Sequence, residues 1–371
     1  MAMFTEIFQK LDKLLFLCLL LIAALGLTVL YAAVYQGNHA IFQKQCVYWL
    51  VGMIVFLSVC FLPLRSLALI AWPFYVVSLL CLALVPIIGD VHMGARRWLD
   101  LGVVSFQPSE MMKWALMLVL AHWFASREPD TWKNFLVAVG LCGAPAVLII
   151  IQPDLGTTLV LLFAAIVMLM VAGFAWRWFW AALAVSPIMG YVLWGHLHDY
   201  QQQRVLTFID PQSDPLGAGY HVIQSMIAIG SGGIFGKGFL EGTQVRLHFL
   251  PEQHTDFIFS VLAEEAGLVG VSVLLLLYAM LISRMLSIAH HAHTRFGSLL
   301  VTGISAIFML YAFINIGMVS GILPVVGVPL PFISYGGSAL LTMITALGIV
   351  MRVSIESKGI IPWQRANNPL V

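Results

Sequence analysis

A carboxylate at the edge of an apolar run is the first feature of this 371-residue chain that could do chemistry. Asp256 stands in HTDFIF, where a polar loop passes into a long apolar stretch. Partial desolvation there would raise its pKa toward that of a general base. An ordinary alternative is equally open: Thr255 or Asp256 caps the following helix, whose dipole favours an acid at that end. Glu264 and Glu265 lie deeper in the same stretch, about 12 Å beyond Asp256 at helical rise. A charge near the middle of a bilayer costs roughly 3 kcal/mol on insertion scales, so the pair should face protein, either protonated or paired. They read as a structural polar clamp or as the lining of a functional cavity. Ala263, Ala266, Gly267 and Gly270 give the small-residue spacing that lets such a helix pack closely on its neighbours. The histidines of HHAH, 290–293, could bind a metal, but fit a solvated loop better.

Polar residues gather in three further places. One is Gly94–Lys113, GARRWLDLGVVSFQPSEMMK; another is the turn Gln152-Pro153-Asp154; the third is Gly321–Ser338, GILPVVGVPLPFISYGGS, rich in Pro and Gly. Together with the segment ending at Asp256, these clusters suggest a composite pocket built from distant parts of the chain. Ahead of Asp256, GSGGIFGKG (230–238) resembles a phosphate-cradling loop but departs from the P-loop pattern. Ser231 stands where the first Gly is needed, and Gly238 where Ser or Thr should follow Lys237. Gly-rich backbone could still approach a phosphate; a tight turn is the simpler reading.

The elements that must position these residues follow from composition. The chain is 61% hydrophobic and 9% charged, with a mean hydropathy of +0.97. A soluble domain carries roughly 25% charged residues, so too little charge is present to coat a water-facing surface. Apolar stretches near the length needed to span a bilayer recur at 14–34, 46–62, 67–88, 111–125, 135–151, 155–173, 177–195, 257–283, 298–320 and 337–353. The expected fold is therefore an all-α polytopic membrane protein of about ten transmembrane helices, a single domain over 1–371. Most basic residues fall on the side of the two termini, among them Lys10, Lys13, Arg65, Arg127, Arg177, Arg284, Arg295 and Arg352. By the positive-inside rule both termini are cytoplasmic, and a large extracytoplasmic loop, 196–256, joins helices 7 and 8. That loop exceeds the usual connection length, which marks it as functional or disordered. Its Val222, Ile223, Met226 and Ile227 make a helical stripe suited to a membrane surface. The first span is too long for a signal-peptide core and reads as an anchor. The five cysteines fall in or beside spans and read as small apolar residues. A net charge of +1 argues against a nucleic-acid partner.

With these residues in view, RRWLDLG, FQPSEMMK, QPDLGTTL, DPLGAGYHVIQSMIAIGSGG, FLPEQHTDFIFSVLAEEAGLVG and GILPVVGVPLPFISYGGSAL resemble the SEDS proteins of bacteria. The AIGSGG and GTQ stretches are similar to the elongation branch of that family more than to the division branch. The resemblance runs in order from about residue 90 to 350; before residue 85 only hydropathy matches. It implies a ten-helix fold in the bacterial cytoplasmic (inner) membrane and peptidoglycan glycosyltransferase activity. It also implies lipid II and a nascent glycan strand as substrates, and a class B penicillin-binding protein, a transpeptidase, as partner. The family's essential loop aspartate falls on Asp256, and its other polar positions on Arg97, Trp98, Glu110, Lys113, Asp154 and Glu264. Met226 stands where several relatives carry Lys.

Polymerising such a substrate needs an outward pocket at the membrane edge, a groove open to lipid, cations for the pyrophosphate and a base. Asp256 is expected to take the acceptor's proton, with Arg97 and Lys113 neutralising the leaving group and Arg204 and Lys237 as further candidates. A divalent cation (Mg2+ or Mn2+) could share that role, though no ligand set is visible. Two rival functions remain open. A lipid II flippase would use Glu264 and Glu265 in a central cavity, but such transporters often show repeated halves, which are absent here. A non-catalytic scaffold would only position the transpeptidase.

Overall fold

The structure is a computed structural model that describes residues 9–35, 37, 39–92, 95–100, 105–195, 202, 218–247, 249 and 252–359. An apolar run surrounded by hydrocarbon must satisfy its backbone polar groups internally, so it becomes helical. Ten helices of 18 residues or more lie among the described residues, one for each expected span. They are α1 (Lys13–Val34), α2 (His39–Cys60), α3 (Leu64–Ile88), α4 (Pro108–Ala125), α5 (Trp132–Ile151), α6 (Leu155–Ala172), α7 (Trp176–Trp194), α10 (Ile258–His290), α11 (Arg295–Val319) and α12 (Gly337–Ser357). Two shorter helices, α8 (Ala218–Gly232) and α9 (Thr243–Arg246), lie within the long loop. Side-chain caps start several helices: Asp12 accepts from Leu15 N–H before α1, Thr131 from Asn134 N–H before α5, and Thr294 from Gly297 N–H before α11.

Eight of the ten are long and apolar enough to cross a membrane; α4 and α7 are not among them. Burial explains α4. It packs against α3, α5, α6, α11 and α12, and its side chains are buried along nearly its whole length. Enclosed by protein, it can carry Glu110, Lys113 and His122 that a lipid-facing helix could not. The innermost apolar helix is α11, with 78% of its most hydrophobic window buried. Close approach there requires glycine: a Cβ on Gly303 would come 2.5 Å from Met117 Sδ of α4. Similarly, a Cβ on Gly52 of α2 would meet Ile344 Cδ1 of α12 at 2.5 Å.

A small antiparallel sheet, not anticipated from the helical periodicity, occupies the first polar cluster. Its strands β1 (Asp90–His92), β2 (Ala95–Asp100) and β3 (Ser105–Phe106) pair in the order β1-β2-β3. Trp98 sits opposite Asp90, and Leu99 opposite Phe106. Three such short strands leave too few alternating positions to announce themselves in sequence.

The expected close-packing helix, α10, is broken at Gly267, whose φ of 61° and ψ of −160° leave the helical region. Four backbone hydrogen bonds to the loop after α8 compensate. Lys237 and Gly238 N–H donate to Glu264 and Glu265 O, while Leu268 and Val269 N–H donate to Gly233 and Ile234 O. The glycine-rich segment is thus a turn docked into the break of α10. The helical stripe foreseen at 222–227 is α8, with Val222 and Ser225 buried and Met226 and Ile227 exposed.

Candidate active site

Asp256 lies half-buried in the turn that leads into α10. The helix begins beyond it: Phe257 is the N-cap residue and makes no side-chain capping bond. Nor does Thr255 cap, since its hydroxyl donates to Glu252 O and Oε2. The turn is held from below by its carbonyls. Tyr335 N–H donates to His254 O at 2.9 Å, Ser334 Oγ to Thr255 O at 2.7 Å and Asn315 Nδ2 to Asp256 O at 3.0 Å. Across from the carboxylate is Gly327, at φ 67°, where an added Cβ would lie 3.3 Å from Asp256 Oδ2. A side chain there would crowd the carboxylate, so glycine keeps its front open.

The same segment reaches the second cluster. A Cβ on Gly156, in the first turn of α6, would meet Val326 O at 2.8 Å. Just before it, Asp154 caps α6, accepting from Thr157 N–H at 3.1 Å and Thr157 Oγ1 at 2.9 Å. Arg97 on β2 clamps this turn, donating through Nε to Gln152 O at 3.2 Å and through a terminal nitrogen to Pro153 O. A guanidinium carries five donors and the turn takes two. Asp256 thus faces Gly327, whose neighbour Val326 packs on the first turn of α6, beside the turn that Arg97 clamps. Trp98 follows Arg97 on the same strand, half-buried.

Glu110 and Lys113 sit deeper. Lys113 Nζ donates to Glu110 Oε1 at 2.6 Å, with the lysine side chain 0% exposed. Tyr311 OH donates to the same oxygen at 3.1 Å, Thr342 Oγ1 lies 3.4 Å from Oε2, and the ammonium stands 4.4 Å from the Tyr311 ring centroid. Tyr311 precedes Asn315 by four residues on α11, one turn along the same face. The pair underlies the floor of the site without opening to it.

Glu264 and Lys237 form a third polar node at the break of α10. Lys237 Nζ donates to Glu264 Oε1 at 2.7 Å, and the same oxygen accepts from Gln244 N–H at 3.0 Å and Thr243 Oγ1 at 3.2 Å. The geometry is that of the polar clamp, and it does not join the Asp256 cluster. Arg204 lies outside the described residues. Met226 packs toward Gly321, where a Cβ would meet its Sδ at 2.9 Å. Among the described residues no group of three or more His, Cys, Asp or Glu is arranged to hold a metal ion.

Burial lowers the His254 pKa against the opposing charge of Glu252. The imidazole is then neutral at neutral pH and adds no positive charge beside Asp256. Sequence reasoning, attentive to charges, passed over Asn315, Ser334 and Gln45. The last donates to Ser334 O at 3.2 Å and lies 3.4 Å from Gly336 N–H as acceptor. The available signal was an uncharged polar residue inside an apolar run.

Residues 12–359 match the family model described as cell cycle protein, FtsW/RodA/SpoVE. The chain belongs to that family. It is 49% identical over 310 residues to the peptidoglycan glycosyltransferase MrdB of Escherichia coli (strain K12), covering 83% of this chain and 84% of that protein. Its fold is similar to a chain in a structure of a peptidoglycan synthase complex that coordinates polymerization and crosslinking. The TM-score is 0.83 with 36% identity, over 94% of this chain and 99% of that one. It is similar as well to the crystal structure of Thermus thermophilus rod shape determining protein RodA, with a TM-score of 0.72, 31% identity and coverage of 93% and 96%.

Proposed function

We propose that this multi-pass membrane protein is a peptidoglycan glycosyltransferase that joins lipid II units into β-1,4 glycan strands during cell elongation, releasing polyprenyl pyrophosphate. The observation that carries this reading is the Asp256 carboxylate. It is half-buried on a turn fixed through three carbonyls, faces a glycine, and packs through that segment to the Arg97 clamp. The acceptor hydroxyl attacks the anomeric carbon of the donor while the bond to the pyrophosphate breaks, so one in-line displacement turns an α-linked donor into a β-linked product. Asp256 accepts the hydroxyl proton. The free donors of Arg97 meet the negative charge that develops on the departing pyrophosphate. Lys113, enclosed with Glu110, supports the floor rather than touching the leaving group.

The site lies on the outer face of the bacterial cytoplasmic membrane, where the positive-inside distribution puts the long loop. There the polyprenyl tail stays in the bilayer while the sugar reaches Asp256. A class B penicillin-binding protein is the partner that crosslinks the strands, in keeping with the synthase complex whose chain this one resembles. In liposomes holding the chain and its transpeptidase partner, Asp256→Asn should lower glycan formation from labelled lipid II by about 100-fold or more. Wild-type chain formation by that variant would remove the base assignment. Translocation without polymerisation by the native chain would favour a flippase.

A further inference from the structure

Asn315 is 0% exposed, in the last two turns of α11. Its Nδ2 donates to two carbonyls at once, Asp256 O at 3.0 Å and Val328 O at 2.7 Å. Only an amide nitrogen fits there, because a flipped amide would set its oxygen against two carbonyl oxygens. The two carbonyls belong to the two segments that face each other across the site: the turn carrying Asp256 and the 326–328 segment carrying Gly327. Asn315 therefore sets the separation between the carboxylate and the backbone opposite it. Ser334 is its counterpart at the preceding residue of the turn, Thr255. The Ser334 hydroxyl donates to Thr255 O at 2.7 Å and accepts from Leu330 N–H at 2.8 Å, tying the turn to the far end of the same segment.

The same two Asn315 donors also satisfy carbonyls that would otherwise lack these partners. We propose that Asn315 is a positioning residue for glycosyl transfer. It holds the Asp256 main chain against the Gly327–Val328 segment so that the carboxylate meets the acceptor hydroxyl at the required distance. The proposal rests on Asp256 being the base. Misplacement of a reacting group by about 1 Å can cost on the order of 100-fold in rate, and Asn315 is the hydrogen-bonded strut that spans both sides.

The test uses the full chain with its transpeptidase partner in liposomes, the crosslinking site of the partner blocked, and labelled lipid II as substrate. Asn315→Leu keeps the branched shape and removes both donors. Asn315→Asp keeps the shape and replaces donation with repulsion or, when protonated, one donor. Both variants should lose about 100-fold in kcat per folded molecule while KM for lipid II stays at the wild-type value. Ser334→Ala, which leaves the core of α11 intact, should lower kcat in the same KM-independent way. A wild-type kcat in folded Asn315→Leu would overturn the proposal, as would a loss of rate that only follows the loss of folded protein. If Asn315→Leu does not fold, a wild-type kcat in folded Asn315→Asp overturns it. Asp256→Asn is run alongside: if that variant keeps wild-type turnover, the base assignment fails whatever Asn315 does. If it is inactive while Asn315→Leu is normal, the positioning role alone fails.

Discussion

Lys113 and Glu110 show how burial changes what a charged residue is for. From type and spacing, a lysine at a helix start near the membrane edge suits a pyrophosphate. In the folded chain its ammonium is enclosed, 2.6 Å from Glu110 Oε1 and under the Tyr311 ring. Removing one member of such a pair strands the other charge in a place of low dielectric, at a cost of about 3–5 kcal/mol. We expect Lys113→Met to lower the unfolding temperature accordingly, and the double variant Lys113→Met/Glu110→Leu to recover much of the loss. Thermal unfolding in detergent measures this. A Lys113→Met protein of wild-type stability that cannot turn over donor would show instead that the ammonium reaches the substrate. Asp256 moved the opposite way. It does not hold the helix-cap position, which falls on Phe257 ahead of a helix that begins at Ile258.

At the scale of elements, the instructive feature is the break in α10. Small residues along that helix suggested close packing against another helix. It does pack on α1, α8 and α11, and at the break a turn joins them: Gly233, Gly236 and Gly238, all at positive φ, bring the loop backbone against the carbonyls of Glu264 and Glu265. Unpaired backbone groups at membrane depth are costly, and exchanging them between two segments removes that cost. A Cβ on Gly236 would run into Glu265 O, and the positive φ adds its own strain. Gly236→Ala should therefore destabilise by more than about 1 kcal/mol and detach the loop from α10. Faster limited proteolysis between 233 and 247 would report that, whereas a wild-type cleavage pattern would show that the docking is not needed. The charges suggested polar work at this depth, but α10 could not reveal that Lys237 would answer Glu264, 27 positions away.

Across the whole molecule, the end opposite Asp256 is tied together by one carboxylate. Asp12 caps α1, pairs with Arg284 of α10 at 2.6 Å and lies 3.6 Å from Lys358 after α12. Burial alone would raise its pKa. The hydrogen bonds from Arg284 and Leu15 N–H, with the charges of Arg284 and Lys358, outweigh that and hold it below the ordinary 3.8. A carboxyl depressed in the folded state stabilises fully above its unfolded pKa and loses that contribution as pH falls through the lowered value. Asp12→Asn should thus cost about 2 kcal/mol near neutral pH, and the cost should shrink in acid below pH 3.8. Thermal melts of both forms across that range measure it; a pH-independent difference would contradict the pairing.

Ten long helices were legible in the sequence as apolar runs, eight of them apolar enough to cross a membrane. Hydropathy is a local property, and each run must become a helix to satisfy its own backbone. Asp256, Arg97 and Asp154 were legible as candidates because polar residues beside hydrocarbon are few. Tertiary structure decided which of these segments lie against one another and which charges meet a partner. Val326–Val328 lies between α6 and the Asp256 turn, while Lys113 and Lys237 each meet a carboxylate in the interior. Such pairings depend on which helices become neighbours, and that is set by packing over the whole chain rather than by any window of sequence.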